Sequence, residues 1–206
     1  MNPTLLVGVL LVAGFVFFLT GAVRWRLVYQ APPAEALVAI HTDQLRRAWI
    51  HLWILVGIFV TTSGLAALIL VLDGAAVKAL AAVAATVYLL GAVCWVVSLA
   101  FRLTVVPWAA KVTVTDGQPP NGFDALDGWA GALYGVHMTA AYAAFALLGA
   151  SILGTDLLSA WLGWLGVALG FLCLTGLIAT RYAGPFNPPI LAHSYTAVVG
   201  VMLLLA

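Results

Sequence analysis

Four histidines, His41, His51, His137 and His193, are the residues of this chain best suited to chemistry. Three lie inside or at the edge of long apolar stretches. His51 sits between Trp49 and Trp53, just past the basic pair Arg46-Arg47, and about twenty-five residues without Asp, Glu, Lys or Arg follow that pair. A neutral imidazole ligates haem iron or a transition metal through one nitrogen, and its ring is oriented by a hydrogen bond at the other. His51 and His193 each fall a few residues into an apolar run, roughly 5 Å deep at 1.5 Å per residue. His137 falls about ten residues in, roughly 15 Å deep. Matched depth on two runs is what a six-coordinate b-type haem requires, with His51 and His193 as its ligands. Thr196 and Tyr134, each one turn from a histidine, are candidate second partners for the rings, and Gly200 would leave room for a flat macrocycle. A transition-metal ion held by His51, His137 and His193 together is a further possibility, if the helices converge. The bland alternative is that interfacial and buried histidines bond only to backbone or lipid headgroups.

The elements that must position these side chains follow from composition. The chain has 206 residues, 65% hydrophobic and 7% charged. Soluble proteins carry roughly 25% charged residues. Eight basic and seven acidic side chains cannot cover a soluble domain of this length, but lipid tails can solvate its outside. The fold class is therefore an all-α integral membrane protein, one domain over residues 1–206, a bundle of six transmembrane helices. The spans are expected at about 4–23, 48–72, 77–103, 127–153, 158–180 and 189–206, each long enough for roughly 30 Å of hydrocarbon. Continuous rather than alternating apolar runs favour helical spans over barrel strands.

Charge orients the bundle. With six spans, Arg24, Arg26, Arg46, Arg47, Arg102, Lys111 and Arg181 share one side and only Lys78 takes the other. That bias predicts N-out and C-out in the cell inner (plasma) membrane, with the basic side cytoplasmic. Arg24 and Arg26 follow the first apolar run instead of preceding it, so that run reads as a retained helix and not as a cleaved signal. Residues 24–47 and 104–126 are expected as the two soluble loops on that side. A net charge of +1 without a basic cluster excludes a nucleic-acid partner. Cys94 and Cys173 lie apart within apolar runs and read as buried thiols.

No catalytic pattern in the chain is complete. Asp124-Ala125-Leu126-Asp127-Gly128 resembles the opening of the CDP-alcohol phosphotransferase motif. The likeness ends there, because the motif's Ala-Arg pair falls on Gly131 and Ala132 and nothing acidic follows within that span. Asp124 and Asp127 read instead as ion-pair partners of Arg102 or Arg181. Gly149-Ala150-Ser151-Ile152 with Ala192-His193 resembles rhomboid proteases. Ser151 and His193 fall at opposite ends of their spans, about 20 Å or more apart, and make no dyad. The chain as a whole is similar to small bacterial six-span proteins.

The functional expectation is a histidine-lined site in the cytoplasmic half, most concretely a b-type haem or metal-binding electron-transfer subunit of a membrane complex. Two other classes stay open. One is a small-solute transporter or channel with His137 as its binding or gating group. The other is a structural or assembly subunit, a homo-oligomer or a partner of other membrane chains in the bilayer. The small-residue faces Ala130, Gly131, Gly135, Ala140, Ala141, Ala144 and Gly163, Gly166, Gly170 read first as packing within the bundle and second as a dimer face.

Overall fold

A computed structural model describes residues 2–206 and is all-helical. The helices are α1 (Pro3–Ala22), α2 (Pro33–Thr42), α3 (Gln44–Val71), α4 (Ala75–Asp116), α5 (Phe123–Ile152), α6 (Ala160–Ala179) and α7 (Ile190–Leu205). A single 3-10 turn, Leu27–Gln30, joins α1 to α2. Five of them, α1, α3, α4, α5 and α6, are long and apolar enough to cross a membrane. The sixth expected span, α7, is a shorter apolar helix of 16 residues. The protein is thus a helical membrane protein with five long spanning candidates.

Local chemistry sets the helix ends. Asn2 accepts the Thr4 N–H and Pro3 occupies the first turn of α1, where its missing N–H costs nothing. α4 ends on Gly117, whose φ of 78° closes the helix in the left-handed region that glycine enters without strain.

α4 departs from expectation. The sequence predicts an end near residue 103, and the helix instead continues unbroken to Asp116, 42 residues and about 63 Å long. Pro107 lies inside it. A proline removes one backbone donor and normally kinks or stops a helix. Here the extension is held by burial. Leu37 and Ile40 of α2 pack with Phe101, Val106, Ala109 and Ala110 of α4. The two stretches read as loops, 24–47 and 104–126, therefore fold against each other as a small helical layer at the basic end of the bundle.

Glycines set the register of the long helices. A Cβ on Gly57 would strike Phe18 backbone, and one on Gly21 would strike the Ile50 carbonyl. Gly8 and Gly200 bring α1 against α7 in the same way. α1 therefore runs antiparallel to both α3 and α7 with backbones in contact. α5 and α6 meet at Gly149, Gly163, Gly166 and Gly170. That settles those glycines as packing inside the bundle, while Gly131 faces open space. The contacts α1–α3, α3–α4, α4–α5, α5–α7 and α7–α1 close a ring of five helices, and α6 packs on the outside of α5.

The outer surface is apolar, with Leu70, Leu90, Phe171 and Leu172 among its exposed side chains. Exposed tryptophans gather toward both ends: Trp49, Trp108 and Trp129 at the basic end, Trp161 and Trp164 at the other. That distribution suits the two headgroup regions of a bilayer.

Candidate functional site

Inside the ring, α4, α5 and α7 bring one tryptophan and two histidines together. Trp95 of α4 stacks on His137 of α5, with ring centroids 4.4 Å apart and planes 29° apart. His193 of α7 lies 6.1 Å from the same indole. The other face of the layer is closed by Phe18 of α1, stacked on His193 at 4.2 Å. Tyr88 meets His137 edge-on, and Phe145 and Tyr195 continue the ring contacts beyond it.

His137 and His193 are 0% and 1% exposed, and no ring nitrogen reaches a partner in full hydrogen-bond geometry, although the Gly91 backbone approaches the His137 ring. Leaving a buried donor or acceptor unpaired costs about 1–3 kcal/mol per group. Two imidazoles enclosed in aromatic carbon therefore carry unmet hydrogen-bonding capacity. A neutral imidazole offers one acceptor lone pair, so the arrangement can bind a metal centre or accept a proton.

The expected second partners go elsewhere. The Thr196 hydroxyl donates to the His193 main-chain carbonyl, not to the ring. The Tyr134 hydroxyl donates to the Asn187 carbonyl. Nor does Gly200 leave room for a macrocycle, since Leu11, Val12 and Gly8 of α1 fill the space beside it. Each of these residues contributes to packing or to holding the loop before α7.

His51 is buried too, and its Nδ1 bonds the Arg47 carbonyl at 2.7 Å, the anchoring that orients a ligating ring. It is not level with His193. Phe18, which covers His193, lies against Gly57 of α3. His51 precedes Gly57 by roughly 9 Å of helix rise, toward the basic end. Spans counted inward from their own ends hid this offset, because α3 begins at Gln44, several residues before its apolar run. Among the described residues no three His, Cys, Asp or Glu side chains gather where they could hold a metal ion. The structure thus pairs His193 with His137 and leaves His51 apart. His41 is partly exposed beside Gln44 at the end of α2.

Charged residues stay at the basic end. Arg102 pairs with Asp127, as one of the expected ion pairs. Arg26 bonds Asp43 at the α2–α3 joint, and that bond holds the Asp43 carboxyl below the usual carboxylate range. Ser151 lies at the opposite end, donating to the Val77 carbonyl, far from the histidine layer.

Two residues of the site escaped the sequence reading. Trp95 lies well inside its span, away from both aromatic belts, and that position was the available signal. Arg47 was counted only as a topology charge, yet it is 5% exposed. Compared with known proteins, the chain matches no family model, no curated protein and no solved structure. Fold and site together define it as a membrane-helical bundle enclosing a histidine–tryptophan layer.

Proposed function

We propose that the protein is a six-span, N-out and C-out subunit of the cell inner membrane. In this reading its buried histidine layer carries a redox metal group, most concretely a b-type haem. The observation that carries it is the pair His137 and His193, fully enclosed, with no ring nitrogen in a well-formed hydrogen bond. Their helices are neighbours in the ring, which favours His193 with His137, over His193 with His51, as the residues that would hold the group. Phe18 and Trp95 now flank His193, so a macrocycle enters only when these rings swing aside. The bound group would supply one-electron chemistry. The chain would supply two neutral ligands, an apolar wall and exclusion of water.

The test is the visible spectrum of the purified protein, oxidised and then dithionite-reduced, with His51→Ala, His137→Ala and His193→Ala beside it. A Soret band that shifts on reduction, lost in the His137 and His193 variants and kept in His51→Ala, is the expected result. Loss in His51→Ala and His193→Ala alone would restore the pair first read from the sequence. A featureless spectrum and no bound transition metal in native-source protein would end the redox reading. Solute transport through His137, or a cofactor-free assembly role, would then lead.

A further inference from the structure

Arg47 stands in the first turn of α3 with its guanidinium drawn inward. The guanidinium carbon lies over the Tyr29 ring at 4.6 Å and over the Trp25 ring at 5.2 Å. Those rings attract the charge but supply no acceptor for its N–H groups in the way a carboxylate or carbonyl does. Nε and Nη1 are enclosed and make no hydrogen bond. The acids nearby are already engaged. Asp43 takes Arg26 and the Tyr29 hydroxyl, with Arg46 approaching as well, and Asp127 takes Arg102. The positive end of α3 adds to the charge of Arg47, and Arg102 acts on it from α4. A buried cation in the membrane is expected to pair or to mark a site.

We infer that Arg47 is the seat of an oxyanion. A carboxylate or phosphate carried by a membrane-bound molecule is taken edge-on at the basic end of the bundle, by Nε–H or Nη1–H acting together with the Nη2–H beside it. The guanidinium fork matches both groups in two-point geometry. Two sources share this chemistry: the phosphate of a lipid headgroup and the carboxylate arms of a bound haem. The second rests on the histidine reading and the first does not.

The experiment is thermal unfolding of the full-length protein in detergent with four separate additions: phosphatidylglycerol, inorganic phosphate, haemin, and diacylglycerol as the phosphate-free lipid. Wild type is compared with Arg47→Gln and Arg47→Lys. At least one oxyanion probe should raise the wild-type Tm by several degrees. Arg47→Gln should lose that gain, and Arg47→Lys should keep only part of it. Without any addition, Arg47→Gln should melt no lower than wild type, because it removes an uncompensated charge. A gain from phosphatidylglycerol that diacylglycerol does not reproduce identifies the headgroup, and a gain from phosphate alone identifies a soluble anion. A gain from haemin identifies the carboxylate. If that haemin gain survives in His193→Ala, the oxyanion site stands while the histidine reading falls. No gain from any oxyanion probe, or equal gains in Arg47→Gln and wild type, overturns the inference. Should Arg47→Gln fail to fold, the Arg47→Lys comparison decides in the same way.

Discussion

Phe18 and His193 lie face to face, ring centroids 4.2 Å apart and planes 17° apart, on two helices that run antiparallel. The contact ties the first long helix to the last helix of the chain. It also seals one side of the histidine layer against lipid.

Truncation at that seal should be costly. Phe18 is 2% exposed, and removing a buried phenylalanine side chain costs about 3–5 kcal/mol. Phe18→Ala should lower the Tm in detergent clearly, whereas Phe17→Ala, on the partly exposed Trp53 side, should lower it less. Equal losses would mean that the Phe18–His193 contact adds nothing special.

Backbone contact between α5 and α6 makes a second prediction. A Cβ on Gly149 would stand 2.5 Å from the Gly163 carbonyl and 2.6 Å from the Val167 nitrogen. Gly149→Ala should therefore force the helices apart and cost about 1–3 kcal/mol. At Gly131, by contrast, nothing lies within 4 Å, so Gly131→Ala should be neutral or stabilise by about 0.4–1 kcal/mol. Thermal unfolding of the pair in one detergent checks both signs.

The α2–α3 joint should be acid-sensitive. Arg26 and Tyr29 bond the Asp43 carboxylate and hold its pKa below the ordinary value. A lowered carboxylate pKa contributes stability above the unfolded-state value, near 3.9, and loses it as pH falls through the folded-state value. Wild type should thus lose helix docking in acid below about pH 4. Asp43→Asn should be weaker at neutral pH and flatter over that range. Hydrogen exchange across residues 27–47 reads the difference, and identical acid profiles would contradict it.

The loop before α7 is clamped from α5. The hydroxyls of Tyr134 and Tyr142 donate to the carbonyls of Asn187 and Phe186. Arg181 and Tyr182 are held at φ 51° and 63°, a region that side chains other than glycine enter at a cost. Removing either clamp should release that segment. Tyr134→Phe and Tyr142→Phe should each lose about 1 kcal/mol and raise hydrogen exchange over residues 180–189. Unchanged exchange there, with a lowered Tm, would place the tyrosines' value in packing instead.

Much of the architecture was legible in the residues. Long runs without charge can satisfy their backbone in lipid only as helices, so Thr4–Val23 and Leu158–Thr180 were placed within a few residues of α1 and α6. The helical tail of α4 was not legible. Pro107 and the polar residues after it argue locally for a loop, and only burial against Leu37 and Ile40 of α2 keeps that tail helical. Local propensity yields to a contact made with a segment some seventy residues earlier.

The histidines show the same division. Their types and their burial in apolar runs were written in the chain, and so was the scarcity of other titratable groups. Which histidine faces which was not. Spans that are apolar on every side carry no periodic mark of an inward face, so depth was the only available guide. Helix register decided the outcome. Gly57 against Phe18 sets α3 so that His51 lies nearer the basic end, while α4, α5 and α7 carry Trp95, His137 and His193 into one layer. Sequence alone determined a membrane-helical chain with a few buried imidazoles. The tertiary structure decided the pairing of His137 with His193 and the burial of Arg47, because both depend on close backbone approach between helices far apart in the chain.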